Sequence, residues 1–298
     1  MMTEMNIPKT RGELLFDVPL SRYNTWGVGG PAQCVFHPAD LNDLSDFLSH
    51  IDEKIPVTWL GLGSNVLIRD GGLEGIVIVT QSGLKEIRFE QDCVYAQAGV
   101  ACAKLARSSV SHGFTGVEFL AGIPGTVGGA LAMNAGAFGG QTWDHVASVE
   151  TINRQGEIIT RSANEYEYGY RFVKCFDNEW FVGAKFRLTS QAKNSNVISI
   201  KDLLAQRAAT QPIGKKNCGS VFKNPEQGFA AKLIEQCGLK GATIGGACVS
   251  KKHANFILNE HNATASDIEQ LIVHVQKTVR EECHVELIPE VRIIGRSL

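Results

Sequence analysis

The sequence predicts an α/β protein of mixed helix and strand content (α+β), divided into two or three domains. Three observations carry that expectation. The chain has 298 residues, whereas a single core stops growing at about 250 to 300 residues and the commonest domain size is roughly 100 to 150. Short apolar, β-branched runs bounded by glycine alternate with segments of helical periodicity. A polar stretch without pattern, Ser190-Gln191-Ala192-Lys193-Asn194-Ser195-Asn196, marks a domain boundary before the last third of the chain.

In chain order, Asp40 predicts an N-cap for a helix that places Leu41, Leu44 and Leu48 on one face. Pro56–Leu60 and Gly75–Val79 read as short buried strands. Cys93–Ala98 alternates like a strand, and Val100 to His112 reads as a helix stopped by Gly113. Ser148–Asn153 and Gly156–Thr160 predict a hairpin around Arg154-Gln155, with a further strand over Phe181–Leu188. Beyond the polar stretch come Ile200 to Ala208, a loop through Pro212 and Gly214, and a helix from Phe229 to Cys237 closed by Gly238. Ala254–Leu258 reads as a strand, Ser266 to Cys283 as a helix signalled by Thr264 and Asp267, and Glu290–Ile294 as a last strand.

Composition narrows the function. Hydrophobic residues make up 44% and charged residues 20%, a globular balance. With 29 basic against 31 acidic residues the formal charge is -2, so no general attraction to nucleic acid or anionic membrane is expected. No run approaches the roughly 20 apolar residues of a membrane span, and the opening MMTEMNIPKTRGELLFDV lacks a secretory core. The expectation is a cytoplasmic monomer. The 8 cysteines show neither a Cys-x-x-Cys pair nor a Cys/His ligand spacing, so they read as reduced, small buried hydrophobes, and no metal site is expected.

Glycine is the informative residue. Its 31 copies concentrate in Trp26–Pro31, in Gly61-Leu62-Gly63-Ser64-Asn65 with Val66 following, and between Gly122 and Gly140. The last of these, Gly122-Ile123-Pro124-Gly125-Thr126-Val127-Gly128-Gly129-Ala130-Leu131-Ala132-Met133-Asn134-Ala135-Gly136-Ala137, has almost no bulky polar side chain. Such a run is either tight packing and turns, or a surface whose main-chain N–H groups take an anion such as a pyrophosphate. Val66 stands where a dinucleotide fingerprint needs a third glycine, and no Gly-x-x-x-x-Gly-Lys-Ser/Thr occurs, which disfavours a Rossmann fold and a P-loop.

From Tyr23 to Gly295 the motifs together resemble one family. They are Asn24-Thr25-Trp26-Gly27-Val28-Gly29-Gly30-Pro31-Ala32, Leu60–Asn65, Gly122–Ala137, Tyr170-Arg171, Gly219-Ser220-Val221-Phe222-Lys223-Asn224-Pro225, Lys252-His253-Ala254-Asn255-Phe256 and Pro289-Glu290-Val291-Arg292. In this order they are similar to UDP-N-acetylenolpyruvoylglucosamine reductase, in its shorter class lacking an extra loop. The resemblance implies an FAD-binding fold of the vanillyl-alcohol-oxidase type in two subdomains, 20–85 and 86–195, with a C-terminal α/β substrate domain over 196–298.

It also implies a reaction: hydride passes from NADPH to FAD, then from flavin N5 to the enolpyruvyl carbon of UDP-N-acetylglucosamine enolpyruvate. The cofactor residues implied are Gly61, Gly63, Ser64, Asn65, Val66, Gly122, Ile123, Pro124, Gly125, Thr126, Gly128, Gly129, Ala130, Asn134, Ala135, Gly136 and Ala137. Arg171 is the implied clamp on the substrate carboxylate, since a guanidinium stays charged and binds in a planar fork. Glu290 is its implied partner, either protonated through burial or held against Arg171. Ser220 is the implied proton donor, with Lys223 and Asn224 suited to the UDP diphosphate. Tyr170 and His253 complete the implied substrate pocket. One departure stands out: the family often has a small hydroxyl residue just after Tyr170-Arg171, where this chain has Phe172-Val173-Lys174.

Two rival readings keep the glycine stretches. A flavin oxidase of the same fold leaves Ser220 to Asn224 and Glu290 without work, and a nucleotide-sugar-binding module without turnover leaves Arg171, Ser220 and Glu290 unexplained.

Overall fold

The structure, a computed structural model, describes residues 8–190 and 199–298. The polar stretch expected as a boundary therefore lies, from 191 on, outside the described residues. By their internal contacts the described residues fall into two interleaved units: 8–16, 34–62, 75–190 and 199–205 in the first, and 17–33, 63–74 and 206–298 in the second.

In the first unit Asp40 starts helix α1 (Leu41–His50), its Oδ1 accepting the Asp43 N–H at 2.9 Å. Leu44, Phe47 and Leu48 turn inward at helical spacing and pack with Phe36, Ile76 and Ile78, the Phe36 and Phe47 rings stacking at 4.0 Å. The sheet behind them runs in the order Glu13–Pro19, Pro31–His37, Leu73–Val79, Val57–Leu60. Its last pair is parallel, with Val57 opposite Ile76 and Leu60 opposite Val79.

The rest of this unit is built on a five-stranded antiparallel sheet, ordered Ile158–Ser162, Val146–Asn153, Glu179–Arg187, Cys93–Gln97, Ile87–Phe89. The expected hairpin is present, its first arm starting two residues earlier at Val146 and its second shifted by two to Ile158–Ser162: Ile152 pairs with Ile158 and Ser148 with Ser162. Helix α2 (Cys102–Ser111) is followed by Gly113 in a left-handed conformation, as expected of a helix stop. The glycine-rich stretch contains a helix that periodicity did not reveal, α3 (Val127–Met133). Val127 and Leu131 are buried among Val94, Leu105, Trp143 and Phe186.

Helix α4 (Ile200–Thr210) precedes the main segment of the second unit, which holds α5 (Ala230–Gln236) and α6 (Ala265–Cys283). Thr264 and Asp267 form the reciprocal capping box at the start of α6 that the sequence predicts. Asp70 adds a second cap by accepting from the N–H groups of Ala265 and Ser266 at 3.0 and 2.9 Å. Ile268, Leu271, Ile272, Val275 and Val279 form the buried stripe of α6 and share a core with Trp26, Leu67, Val221 and Phe222. Val66–Ile68 pairs in parallel with Arg292–Ile294.

The expected strand over Ala254–Leu258 is corrected. Only Ile257–Asn259 is extended in a ladder; Ala254 and Asn255 lie in a turn, where the Ser250 hydroxyl accepts from the N–H groups of Lys252 and His253. Likewise the last strand begins at Arg292, not Glu290.

Candidate active site

Within the first unit, the glycine-rich residues are built around the start of α3. Thr126 is its N-cap, and a side chain at Gly61 would fall on the Thr126 hydroxyl, so the loop leaving Val57–Leu60 can touch this cap only if residue 61 is bare. Several main-chain donors of the stretch are used by the fold itself. Ile123 donates to Leu120, Gly125 to Ile123, Val127 to Val100, Gly128 to Ala98, Ala130 to Thr126, Asn134 to Leu131 and Ala135 to Ala130. These residues shape a surface more than they offer it donors. Gly129, whose N–H donates to the Thr126 hydroxyl at 3.4 Å, is exposed, and a Cβ there would meet only that hydroxyl at 3.7 Å. Packing does not require glycine at 129, and a bare residue there leaves the main chain open to close approach. With Pro124 also exposed and almost no bulky polar side chain from Gly122 to Ala137, the surface fits a flavin dinucleotide.

Asn134 ends α3 in a left-handed conformation, φ 45°. Its side chain is buried and fully engaged: the amide donates to the Gln141 side chain at 3.0 Å and to the Gly169 carbonyl at 2.9 Å, while Oδ1 accepts from the Trp143 N–H at 3.1 Å. Arg171 occupies the two-residue turn between Tyr168-Gly169 and Phe172-Val173, also at positive φ, 53°. Its Nη2 donates to the Gly136 carbonyl at 2.7 Å and Nη1 to the Asn134 carbonyl at 3.4 Å. The hairpin and the end of α3 thus hold each other reciprocally, and the guanidinium plane is set by main-chain oxygens. Tyr170 stays exposed beneath it, 5.3 Å from ring centre to guanidinium carbon.

The second unit pairs the segments that carry Ser220 and Glu290. Glu290 N–H donates to the Val221 carbonyl at 2.7 Å and Lys223 N–H to the Ile288 carbonyl at 2.9 Å, so the two motifs run antiparallel around a Phe222–Pro289 bridge. Both Ser220 and Glu290 are half-buried. The neighbouring Cys218 thiol is pushed well above its ordinary pKa, first by burial and then by the Glu290 charge. Asn224 uses Oδ1 to accept from the first N–H of α5, at Ala230. Burial lowers the His253 pKa, and its ring lies edge-on to Phe256 at 4.8 Å.

Gly63, Ser64, Asn65 and Val66 also lie in this unit. Gly63, at φ 65°, packs so closely on the Tyr23 carbonyl that no side chain fits, and its own carbonyl accepts from Thr25 N–H at 3.1 Å. The Asn65 amide donates to the Glu290 carbonyl at 3.1 Å, and Val66 is a buried strand residue. Trp26, whose motif had no assigned role, anchors this core by donating from Nε1 to the Ile257 carbonyl at 2.8 Å. Asn255, unassigned as well, binds Phe222 through both ends of its amide.

Comparison with known proteins decides the family. A UDP-N-acetylenolpyruvoylglucosamine reductase of Legionella pneumophila (strain Corby) is 54% identical over 296 residues, covering 99% of this chain and 96% of the relative. The chain belongs to the UDP-N-acetylenolpyruvoylglucosamine reductase family. Members from Methylococcus capsulatus (strain ATCC 33009 / NCIMB 11132 / Bath) and Coxiella burnetii (strain Dugway 5J108-111) are 53% and 49% identical, covering 97% and 99% of this chain and 95% and 100% of theirs. Residues 211–294 match the model for the C-terminal domain of this family, and residues 32–162 match that of an FAD binding domain. The crystal structure of the Thermus caldophilus member has a TM-score of 0.76 at 30% identity, over 96% of this chain and 99% of that one. As a member of this family the chain is an oxidoreductase and a flavoprotein with an FAD-binding domain and mixed helix and strand content.

Among the described residues the eight cysteines form no disulfide, and four of them (Cys34, Cys102, Cys218 and Cys248) are buried. The expectation of small buried hydrophobes does not extend to Cys175, which is exposed, nor to the half-buried Cys93, Cys237 and Cys283. Among the described residues no group of three or more His, Cys, Asp or Glu is placed to hold a metal ion, and no helix is long and apolar enough to cross a membrane.

Proposed function

We propose that the chain reduces UDP-N-acetylglucosamine enolpyruvate to UDP-N-acetylmuramate with NADPH and FAD, a step in peptidoglycan precursor synthesis. Family membership supports the reaction class, and the observation that carries the residue roles is the pairing of the Ser220 and Glu290 segments through Val221. When bound, the flavin supplies a hydride from N5 to the terminal carbon of the enolpyruvyl double bond. Everything else is asked of side chains.

Hydride arrival leaves an enolate on the substrate carboxylate, which needs positive charge in place beforehand. Arg171 meets that need: two main-chain oxygens orient its guanidinium, a planar cation whose fork suits a carboxylate. Ser220 delivers its hydroxyl proton to the carbon next to the carboxylate, completing addition of H⁻ and H⁺ across the double bond. Glu290 polarises the carboxylate. Lys223 and Asn224 hold the diphosphate, and Tyr170 and His253 line the substrate pocket. The working arrangement proposed is a cytoplasmic monomer in which 20–85 and 86–195 carry the flavin and 196–298 the substrate.

Anaerobic half-reactions test this. NADPH should bleach the yellow protein, and UDP-N-acetylglucosamine enolpyruvate should restore the colour. Ser220→Ala should leave bleaching intact and slow recolouring by about 10²- to 10⁴-fold, the usual worth of a positioned acid. Equal losses in both halves would reject Ser220 as the donor.

A further inference from the structure

We propose that Asn255 is a positioning residue for the protonation step, holding the Ser220–Phe222 segment by imitating one residue of a missing β-strand. The inference rests on the donor role of Ser220 proposed above. Asn255 is 3% exposed and belongs to a turn. Its amide donates to the Phe222 carbonyl at 2.8 Å, its Oδ1 accepts the Phe222 N–H at 2.9 Å, and its own carbonyl accepts the Val221 N–H at 2.9 Å.

The need for such a group follows from the opposite edge. There the Ile288–Glu290 segment bonds Val221 and Lys223, flanking the Phe222–Pro289 bridge. In an antiparallel ladder a residue at such a bridge turns its own N–H and C=O to the far side. Both groups of Phe222 are buried there with the residue, and without partners they would carry a desolvation penalty. A carboxamide offers one donor and one acceptor side by side, as a peptide does. The Ser220 segment is therefore clamped between Asn255 and the Glu290 segment, and the position of the Ser220 hydroxyl depends on that clamp.

Displacing a reacting group by about 1 Å can cost about 10²-fold in rate. In the full-length flavoprotein, Asn255→Ala should leave reduction by NADPH unchanged and slow recolouring by UDP-N-acetylglucosamine enolpyruvate roughly 10- to 100-fold. Asn255→Asp should recolour faster as the pH is lowered, because only the protonated carboxyl can again donate to the Phe222 carbonyl; the parent protein should lack that limb. The double variant Asn255→Ala/Ser220→Ala should be no slower than Ser220→Ala alone, since a clamp matters only through the group it places. Multiplying losses in the double variant, or equal losses in both half-reactions, would overturn the inference. A slow Ser220→Ala with Asn255→Ala at the parent rate rejects Asn255 alone, whereas a fully active Ser220→Ala rejects the donor role and this inference with it. If Asn255→Ala does not fold, Asn255→Asp at both ends of the pH range gives the same decision: a recolouring rate that is flat with pH refutes the clamp.

Discussion

The Asn65 side-chain amide donates to the main-chain carbonyl of Glu290 at 3.1 Å, across 225 positions of sequence. The Asn65 carbonyl in turn accepts from Arg292 N–H at 3.1 Å, so one residue of a glycine-rich motif grips both sides of Val291. Its implied role beside the cofactor is therefore joined to a second one, setting the segment that carries Glu290.

Asn65→Ala should destabilise the protein by about 1 to 2 kcal/mol, the usual cost of leaving a half-buried carbonyl without its donor. Urea unfolding reads that directly. A change in the recolouring half-reaction larger than the change in flavin binding is expected; the reverse order would show that Asn65 serves the cofactor more than Glu290.

Asn134 offers a separable test, because its backbone and its side chain do different work. Asn134→Ala loses three side-chain hydrogen bonds and puts a β-carbon at φ 45°. It should cost about 2 to 4 kcal/mol. Asn134→Gly relieves the backbone strain but not the loss of bonds, so it should recover only about 1 kcal/mol. In either variant the substrate KM should rise, since the Gly169 carbonyl and the Arg171 turn lose their tether. Thermal unfolding with steady-state kinetics measures both effects, and full recovery by glycine would remove the side chain from the account.

Gly61→Ala tests the cradle by shape alone. The new methyl group would fall on the Thr126 hydroxyl and push the loop off the cap of α3. Flavin affinity, measured by titrating FAD into the apoprotein, should fall at least about tenfold, corresponding to roughly 1.4 kcal/mol of lost binding. Thr126→Ser, which keeps the hydroxyl, should bind FAD normally.

Stability should fall as the pH drops below neutrality. Burial lowers the pKa of His37, His145 and His253 from an ordinary 6.5. The unfolded chain therefore binds protons near pH 6.5 that the folded chain refuses, and the stability present above that pH is lost as it falls through 6.5 towards the folded-state values. Further acid reaches Glu179 and Glu269, which their hydrogen bonds to Arg161 and Arg69 hold below the usual carboxylate range. Urea midpoints at pH 8, 6.5 and 5 should decline in that order, most steeply between 6.5 and 5, and replacement of His145 by glutamine should flatten that second interval.

Local signals in the chain were sufficient for some elements and silent on others. Asp40 before a Leu41-Leu44-Leu48 stripe, and Thr264 with Asp267, specify α1 and α6 because caps and periodicity act within a few residues. α3 escaped notice because two of its seven residues are glycine, a helix-averse composition overridden by the Thr126 cap and by burial of Val127 and Leu131. Ala254–Phe256 looks like a strand by composition, yet the Asn255 side chain takes the Phe222 groups and the chain turns there.

By itself the sequence determined the family and fold class, since ordered motifs from Asn24 to Arg292 depend only on residue identity and spacing. Tertiary structure alone decided which polar groups remain for chemistry. The amides of Ile123, Gly125, Val127 and Gly128 are taken by neighbours within the fold, Asn134 is turned wholly inward, and Asn65, Val221 and Asn255 converge on the Ser220 and Glu290 segments. Hydrogen-bond partners far apart in sequence are chosen by packing, and no periodicity of the chain encodes them.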